Sequence, residues 1–578
     1  MNPDATGGSS GLEARKRYQG KLELTWTNKD QSLLAHEDGS YEWLAPSDYR
    51  VAEVRLLRDA EAVGEVASDR ARARDNLLIR GDALHALTSL LEIPEFAREY
   101  AGKVKLVYLD PPFNTEQAFK HYDDALEHSV WLTMMRDRLE QVEKLLADDG
   151  SVWVHCDDSE QAYLKVVMDD IFGRANFQAS IVWQKRYSRD NRPAVGTVHD
   201  YILIYSPMGT DWKKIRNRIP RAAAKEYRNP NNDPNGRWRP IPLDAQAGHA
   251  TKDQFYEIIT PGGARHSPPK GRCWSVTKHR FEELLAEEKL YFGKNGRGKP
   301  NVIRYLKDDI GLVPWTWWPH DEVGHNDESK KEMLALAPDH EPFDTPKPER
   351  LMERIIRIGS DEEDVVLDCF GGSGTTAAVA HKLGRRWVTV EWDRETIETF
   401  TSPRLEKVVR GEDGIGITEA VEWQGGGGFR VLDLAPSMFA DDEGLVVLAD
   451  WAVGGKLGEA TAAQLGYDFD PEPPFVGRKG RARLAVIDGL VNPDVARLLV
   501  EALGDKERLV LCGTAIDPAT RDVLRELRPG STVRKIPASI LAEYQLGQRW
   551  RAPKVAREAA AADGATNGKA AEAKAVKS

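Results

Sequence analysis

The residues best suited to chemistry lie in one short run, Asp110-Pro111-Pro112-Phe113, which follows a mostly apolar, β-prone stretch at 104–109. The Asp110 carboxylate and the Pro111 carbonyl can each accept one hydrogen of an amino group whose lone pair is delocalised into an aromatic ring. The two prolines restrict the position of that carbonyl. Phe113 can stack on a base that has left a duplex. A strand that ends in an ordinary Asp-Pro turn would carry the same residues, so this run needs support from elsewhere.

That support comes from a small-residue loop, DCFGGSGTT, at 368–376, which lets backbone approach a ligand closely. A triphosphate-binding loop needs a lysine that this loop lacks, and the dinucleotide fingerprint needs glycine where Ala377 stands. The next strand ends at Glu391, about 20 positions on, where an acid can accept hydrogen bonds from ribose hydroxyls. Loop and acid together indicate an adenosine-containing cofactor without a triphosphate, for which S-adenosyl-L-methionine is the natural candidate.

The elements that must position these residues alternate in type. From about 76 to 206, β-type runs alternate with helical periods, which is typical of a doubly wound α/β domain. Apolar residues from Trp131 to Leu146 recur at spacings of three and four, which predicts a helix with Gly150 at its C-terminal cap. Residues 208–343 break the rhythm with Pro, Gly and Asn turns, and the α/β pattern resumes at about 345.

Charge divides the chain as well. The 578 residues carry a net charge of -12, yet residues 184–307 hold 25 Lys and Arg against 12 Asp and Glu. A basic segment inside an acidic protein can neutralise phosphates, although such a run is often only a solvated face. The four cysteines stand alone without ligand spacing, so no metal site or disulfide is predicted. No apolar run is long enough for a membrane span and no secretory signal is evident, so a cytoplasmic location is expected.

These patterns predict six regions. They are an N-terminal extension (1–75), a catalytic half (76–207), an inserted domain (208–343), a cofactor half (344–424), a separate C-terminal α/β domain (425–552) and a disordered tail (553–578).

Several of these stretches carry a family resemblance. LDPPFNT, IVWQKRYSRDN with HDYILIYSP, DTPKPERLMERII and VVLDCFGGSGTTAAVA, in this order, resemble the β-class DNA amino-methyltransferases. The resemblance is closest to the Mod subunits of type III restriction-modification systems, and it covers about 76–430. It implies a Rossmann-like methyltransferase fold in the permuted β-class order, with 208–343 as a target recognition domain.

The resemblance also implies roles for single residues. It places Phe370, Gly372 and Gly374 around the methionine part of S-adenosyl-L-methionine, with Asp368 and Thr375 alongside. Further cofactor contacts are implied at Lys347 of the T-P-K-P element and at Asp82 after Gly81. The catalytic element is implied to be Asp110, Pro111, Pro112 and Phe113, where the family more often has tyrosine in the last place.

The function implied is transfer of a methyl group to adenine N6 in double-stranded DNA by base flipping, without a metal. Asp rather than Ser at position 110 favours adenine N6 over cytosine N4. N4-cytosine methylation and a non-catalytic DNA-binding specificity subunit remain alternatives. The resemblance further implies a homodimer, a helicase-nuclease or other defence-system partner, and a dimerisation or docking role for 425–552.

Overall fold

A computed structural model describes residues 22–36, 40–113, 127–188, 194–219, 227–229, 233–306, 311–341 and 343–546. The described residues fall into two compact units. The smaller lies within Asn217–Pro314, and the larger contains the described residues on either side of it.

The strands run in chain order as follows: β1 (Ser32–Ala35), β2 (Tyr41–Leu44), β3 (Leu57–Gly64), β4 (Asn76–Arg80), β5 (Val104–Leu109), β6 (Leu146–Cys156), β7 (Phe177–Gln184), β8 (His199–Tyr205), β9 (Trp238–Pro242), β10 (Asp244–Gln246), β11 (Ile258–Ile259), β12 (Arg265–His266), β13 (Arg272–Trp274), β14 (Leu290–Tyr291), β15 (Asn301–Tyr305), β16 (Trp317–Trp318), β17 (Val365–Asp368), β18 (Arg386–Glu391), β19 (Gly428–Leu434), β20 (Phe439–Asp442), β21 (Leu445–Leu448), β22 (Asp468–Phe469), β23 (Gly477–Lys479), β24 (Ala482–Val491), β25 (Arg508–Ile516) and β26 (Thr532–Lys535).

The helices run in chain order as follows: α1 (Tyr49–Ala52), α2 (Ala83–Glu92), α3 (Pro94–Tyr100), α4 (His128–Leu145), α5 (Gln161–Met168), α6 (Lys278–Ala286), α7 (His320–Val323), α8 (Asn326–Leu336), α9 (Glu349–Gly359), α10 (Thr375–Lys382), α11 (Arg394–Thr396), α12 (Ser402–Arg410), α13 (Leu457–Gln464), α14 (Pro493–Glu501), α15 (Ala519–Leu527) and α16 (Ala538–Leu546). Within the described ranges, no helix has the length and apolar character that a membrane span requires.

Ten strands of the larger unit form one mixed sheet with the order β16-β7-β8-β6-β5-β17-β18-β4-β19-β3. Its central strands β6, β5, β17, β18, β4 and β19 are parallel neighbours. Strands such as β5, with the sequence VKLVYL, are buried along nearly their whole length because helices cover the sheet. Each fully buried Val or Leu side chain contributes about 1.5–3 kcal/mol.

The predicted helix after the Asp-Pro-Pro-Phe run is present as α4, but its end was wrongly placed. The helix stops at Leu145, Leu146 is already extended, and Gly150 lies inside β6 rather than at a helix cap. A Cβ at Gly150 would stand 2.9 Å from the Val104 carbonyl oxygen, so glycine is needed there for the close approach of two backbones.

The smaller unit is built from three short sheets, β9-β15-β14, β10-β13 and β11-β12. Leu243, Ile258, Trp274, Phe281 and Phe292 form its own apolar core. Since it lies within 217–314, it is shorter than the predicted insertion at 208–343. In the larger unit, Trp318 of β16 is buried with its ring 6.2 Å from that of Trp153, because β16 adds an edge strand beside β7.

The C-terminal part forms a five-stranded sheet with the order β22-β23-β24-β25-β26. It packs against the rest of the larger unit, and Gln464 exchanges two hydrogen bonds with the backbone of Val54. β19 begins at Gly428, after the predicted boundary at 425, yet it pairs with β4 and β3 in the ten-stranded sheet. The main sheet therefore extends beyond that boundary.

Candidate active site

Four neighbouring strands end in acidic residues along one edge of the ten-stranded sheet. Asp110 follows β5, Asp368 ends β17, Glu391 ends β18, and Asp82 comes two residues after β4. Because these strands are parallel and adjacent, their carboxyl ends meet at the edge where open α/β sheets bind ligands. A cavity of about 780 Å³ lies there, and all four acids line it.

Asp110 is held by a lysine from the other half of the chain. The Lys347 Nζ donates a hydrogen bond of 2.5 Å to Asp110 Oδ2. Asp110 Oδ1 is buried, and among the described residues it has no hydrogen-bond partner. One carboxylate oxygen is thereby fixed, while the other remains able to accept a hydrogen from a ligand in the cavity.

The residues after Asp110 are fixed by α4 and by the sheet beneath them. The Pro112 carbonyl accepts a 2.6 Å hydrogen bond from Trp131 Nε1, whereas no donor in the described ranges reaches the Pro111 carbonyl. The Phe113 ring stacks on the His155 ring, with centroids 5.5 Å apart and an interplanar angle of 23°. The Lys347 Nζ lies 5.2 Å from the centroid of the Phe113 ring.

A buried polar chain supports His155 from below. Tyr108 Oη lies 2.9 Å from His155 Nδ1, and His155 Nε2 lies 3.4 Å from Asp200 Oδ2. Asp200 Oδ1 in turn accepts a 2.6 Å hydrogen bond from Lys185 Nζ, and Lys185 lines the cavity. Burial lowers the pKa of His155, which favours the neutral imidazole under Phe113. The sequence contained no signal for this network of polar side chains, because a histidine within an apolar strand is most simply interpreted as a buried core residue.

Asp368 and its loop are held by hydrogen bonds within the loop. Asp368 Oδ1 accepts the backbone N–H of Phe370 at 3.0 Å, and Oδ2 accepts the Thr376 hydroxyl at 2.6 Å. Burial raises the pKa of Asp368 to about 8, although both hydrogen bonds oppose that shift. Gly372 and Gly374 have φ values of +49° and +73°, which glycine adopts without strain.

Glu391 ties this loop to the end of β18. Its Oε2 accepts the Gly372 N–H at 2.7 Å, and its Oε1 accepts the backbone N–H groups of Trp392 and Asp393 at 2.9 and 3.0 Å. The carboxylate that the sequence assigned to ribose hydroxyls therefore also fixes the glycine loop.

A buried ionic network lies behind the loop. The Thr375 hydroxyl accepts a 2.7 Å hydrogen bond from Arg404 Nη1, and Arg404 Nη2 donates to Glu349 Oε1 at 2.8 Å. Lys382 Nζ lies 2.7 Å from Glu349 Oε2 and 2.6 Å from Asp413 Oδ2. Burial opposes ionisation of Glu349, but Arg404 and Lys382 outweigh it and lower its pKa. The network links α9, α10 and α12 behind the cavity.

Asp82 caps a helix and pairs with an arginine. Its Oδ1 accepts the backbone N–H groups of Leu84 and His85 at the start of α2, and its Oδ2 accepts Arg138 Nη2 at 2.6 Å. Burial opposes the charge on Asp82, but Arg138 prevails and lowers its pKa. Arg138 lines the cavity with Met134, one turn earlier on α4.

The structure brings nearly all the predicted site residues to one cavity. Those that line it are Asp82, Asp110, Pro111, Pro112, Phe113, Lys347, Asp368, Phe370, Gly372, Thr375 and Glu391. Gly374 lies within the loop at the start of α10 but is not part of the lining. Sequence reasoning missed Leu33, Ala35, His36, Tyr41, Arg138, Lys185, Asp200, Phe343 and Trp392, which also line the cavity. Among these residues, Trp392 could have been predicted from the sequence, because it directly follows Glu391, the predicted cofactor contact.

Comparison with known proteins gives consistent similarities. Residues 104–402 match the family described as DNA methylase (N6_N4_Mtase). The StyLTI Mod subunit, a type III restriction-modification protein of Salmonella typhimurium strain LT2, is 34% identical over 332 residues, which are 52% of this chain and 49% of that protein. The probable HindVI Mod subunit of Haemophilus influenzae strain Rd is 32% identical over 443 residues, covering 65% and 56%. The EcoP15I Mod subunit of Escherichia coli is 26% identical over 506 residues, covering 72% and 74%. The chain spans about half the length of the first two relatives.

Proposed function

The chain belongs to the DNA methylase family, and on that premise we propose that it transfers a methyl group from S-adenosyl-L-methionine to N6 of adenine in double-stranded DNA. The observation that carries the proposal is the pairing of Asp110 with Lys347 at the cavity, which leaves Asp110 Oδ1 as a buried acceptor without a partner among the described residues. A buried acceptor of this kind needs a donor, and an amino group supplies one.

The cavity fits the cofactor. Its volume of about 780 Å³ lies within the usual range for sites of small molecules and cofactors. A Cβ at Gly371 would stand 2.6 Å from Thr389 Oγ1, so the loop lies as close to β18 as glycine allows. Phe370, Gly372, Glu391 and Asp82 would hold the cofactor, which when bound supplies a methyl group on a positively charged sulfur.

The chain's own residues would orient the acceptor amine. Asp110 Oδ1 accepts one amino hydrogen and the Pro111 carbonyl accepts the other, which draws the nitrogen lone pair out of conjugation and aims it. Lys347 fixes the orientation of the Asp110 carboxylate through Oδ2. Phe113, supported by His155, gives the extruded base a stacking surface worth about 1–3 kcal/mol. The amine is activated by geometry, without prior removal of a proton.

The remaining regions take roles that follow from this function. The ten-stranded sheet would be a Rossmann-like methyltransferase sheet in permuted order, with the catalytic strand β5 preceding the cofactor strand β17 in the chain. The inserted basic region would be the target recognition domain. The C-terminal domain would serve dimerisation or the docking of a helicase-nuclease or other defence-system subunit. The similarity to type III Mod subunits supports these roles.

The test is methyl transfer to duplex DNA from labelled cofactor, followed by nucleoside analysis of the product. The wild-type protein should label N6-methyl-2′-deoxyadenosine, and Asp110→Ala, which removes the acceptor oxygen, should abolish labelling while cofactor binding is retained. If the label is found in N4-methyl-2′-deoxycytidine instead, the target base is cytosine rather than adenine. Cofactor binding without any transfer to DNA would favour a non-catalytic specificity subunit.

A further inference from the structure

The N-terminal hairpin of β1 and β2 forms part of the cavity wall. Its antiparallel register pairs Ala35 with Tyr41 and Leu33 with Trp43. Because side chains of a strand alternate between its faces, paired positions share a face. Leu33, Ala35 and Tyr41 all line the cavity, so this face of the hairpin is turned towards the site.

The opposite face of the hairpin packs on the protein. Leu44 is buried with Val51 and Leu84 in a small apolar cluster, and Leu34 packs against the same cluster. Leu84 belongs to the first turn of α2, two residues after Asp82. This places the hairpin beside the strand end that carries Asp82.

A second attachment joins the hairpin to α4. The backbone N–H of Leu33 donates a 3.1 Å hydrogen bond to Asp137 Oδ2, and Asp137 pairs with Arg136 at 2.6 Å. Arg136 also donates to the Gln31 carbonyl at 2.5 Å. Asp137 is 5% exposed, and a buried charged group that lost these partners would be costly. The hairpin is therefore a fixed part of the unit.

These contacts place the hairpin at one end of the cavity. Leu84 adjoins Asp82, and Asp137 adjoins Arg138, which pairs with Asp82. In the sheet order, β4 before Asp82 is separated from β5 before Asp110 by the strands that end at Asp368 and Glu391. The hairpin thus lies at the end opposite Asp110, where the proposed function places the cofactor.

We propose that the β1–β2 hairpin is the outer wall of the cofactor end of the cavity, and that the Tyr41 ring contacts the adenosyl part of the bound cofactor. This inference rests on the proposed function. Tyr41 is 41% exposed although it lines the cavity, and its ring packs on no other aromatic ring in the described ranges. A rigid ring of this kind offers a purine a stacking surface. The hairpin lies outside the residues 104–402 that match the family.

Calorimetric titration of the full-length protein with S-adenosyl-L-methionine and with its demethylated product tests the inference. Tyr41→Ala should raise the Kd of both ligands about tenfold, whereas Tyr41→Phe, which keeps the ring, should stay within about threefold of wild type. The matched control is Glu42→Gln, because Glu42 neighbours Tyr41 on the other face of the hairpin and pairs with Arg50. It should leave both Kd values unchanged.

The outcomes separate the two proposals. If the wild-type protein binds neither ligand, the proposed function fails, and the inference fails with it. If the wild type binds both and Tyr41→Ala binds equally well, the hairpin inference alone is overturned. If Glu42→Gln loses as much affinity as Tyr41→Ala, the loss comes from a damaged hairpin, and the proposed contact between the Tyr41 ring and the cofactor is overturned. Thermal unfolding of each variant verifies that the fold is retained.

Discussion

Lys347 and Asp110 lie 237 positions apart in the chain, yet the Lys347 Nζ donates a 2.5 Å hydrogen bond to Asp110 Oδ2. The lysine comes from the T-P-K-P element just before α9, and the aspartate ends the run that begins with β5. This pair connects the predicted catalytic half to the predicted cofactor half. Under the proposed function, Lys347 would orient Asp110 in addition to making the cofactor contact that the family resemblance implies.

Lys347→Met separates these two roles. Since Lys347 fixes one oxygen of Asp110, its loss should leave the carboxylate misplaced and lower the methyl-transfer rate at saturating cofactor about 100-fold. The Kd for the cofactor should change by less than about threefold. Single-turnover transfer and calorimetry measure the two quantities. The control is Lys456→Met, because Lys456 is 55% exposed and Glu459 is its one ion-pair partner among the residues that the structure describes. A large rise in Kd with the saturated rate preserved would instead assign Lys347 to the cofactor.

The strands, loop and helix start that carry the site residues were predictable from the sequence, but the contacts between these elements were not. The apolar run before Asp110 and the small-residue loop before Thr375 form β5, the loop after β17 and the start of α10, because local composition decides them. The adjacency of β5 and β17 depends on pairing between strands more than 250 residues apart, which no local period encodes. The Lys347–Asp110 bond depends on that adjacency.

Two further features show the same limit. The hairpin around Tyr41 carries no motif, and its place at the cavity follows from its contacts with Leu84 and Asp137, which are distant in sequence. The end of α4 was misplaced because glycine suits both a helix cap and a close backbone contact. Only the neighbouring Val104 backbone shows that Gly150 serves the second purpose.

Glu349→Ala should strongly destabilise the fold. The change would leave Lys382 and Arg404 buried without their shared carboxylate, and breaking a buried pair in this way costs about 3–5 kcal/mol. Chemical denaturation, followed by tryptophan fluorescence, measures the loss. Glu353→Ala, four residues later on α9, removes a partly exposed pair with Arg357 and should cost less than about 1 kcal/mol. Equal losses for the two variants would contradict the role given to the buried network.

Asp368 should make stability depend on pH. Burial raises its pKa from 3.8 to about 8, so between these values the folded state keeps a proton that the unfolded state has released. Its contribution to stability is fully present below pH 3.8, and it is lost as the pH rises towards about 8, at up to ~1.4 kcal/mol per unit. In Asp368→Asn, the unfolding midpoint should change less with pH between 3.8 and about 8 than it does in wild type. Asp442→Asn, at an exposed position of β20, should keep the wild-type dependence on pH. An unchanged slope in Asp368→Asn would show that the carboxyl is ionised in the folded protein.

Gly371→Ala tests whether the glycine loop at 368–376 must lie against β18. A Cβ at this position would stand 2.6 Å from Thr389 Oγ1 and 3.1 Å from the Val390 carbonyl oxygen, so the loop has to move away from the strand. Overpacking of this kind costs about 1–3 kcal/mol, and displacement of the Gly372 N–H from Glu391 should weaken cofactor binding about tenfold or more. Gly414→Ala is the control, because a Cβ there meets nothing within 4 Å. Calorimetry with S-adenosyl-L-methionine measures both. If Gly371→Ala binds S-adenosyl-L-methionine as tightly as wild type, the hydrogen bond between Gly372 and Glu391 does not control cofactor binding.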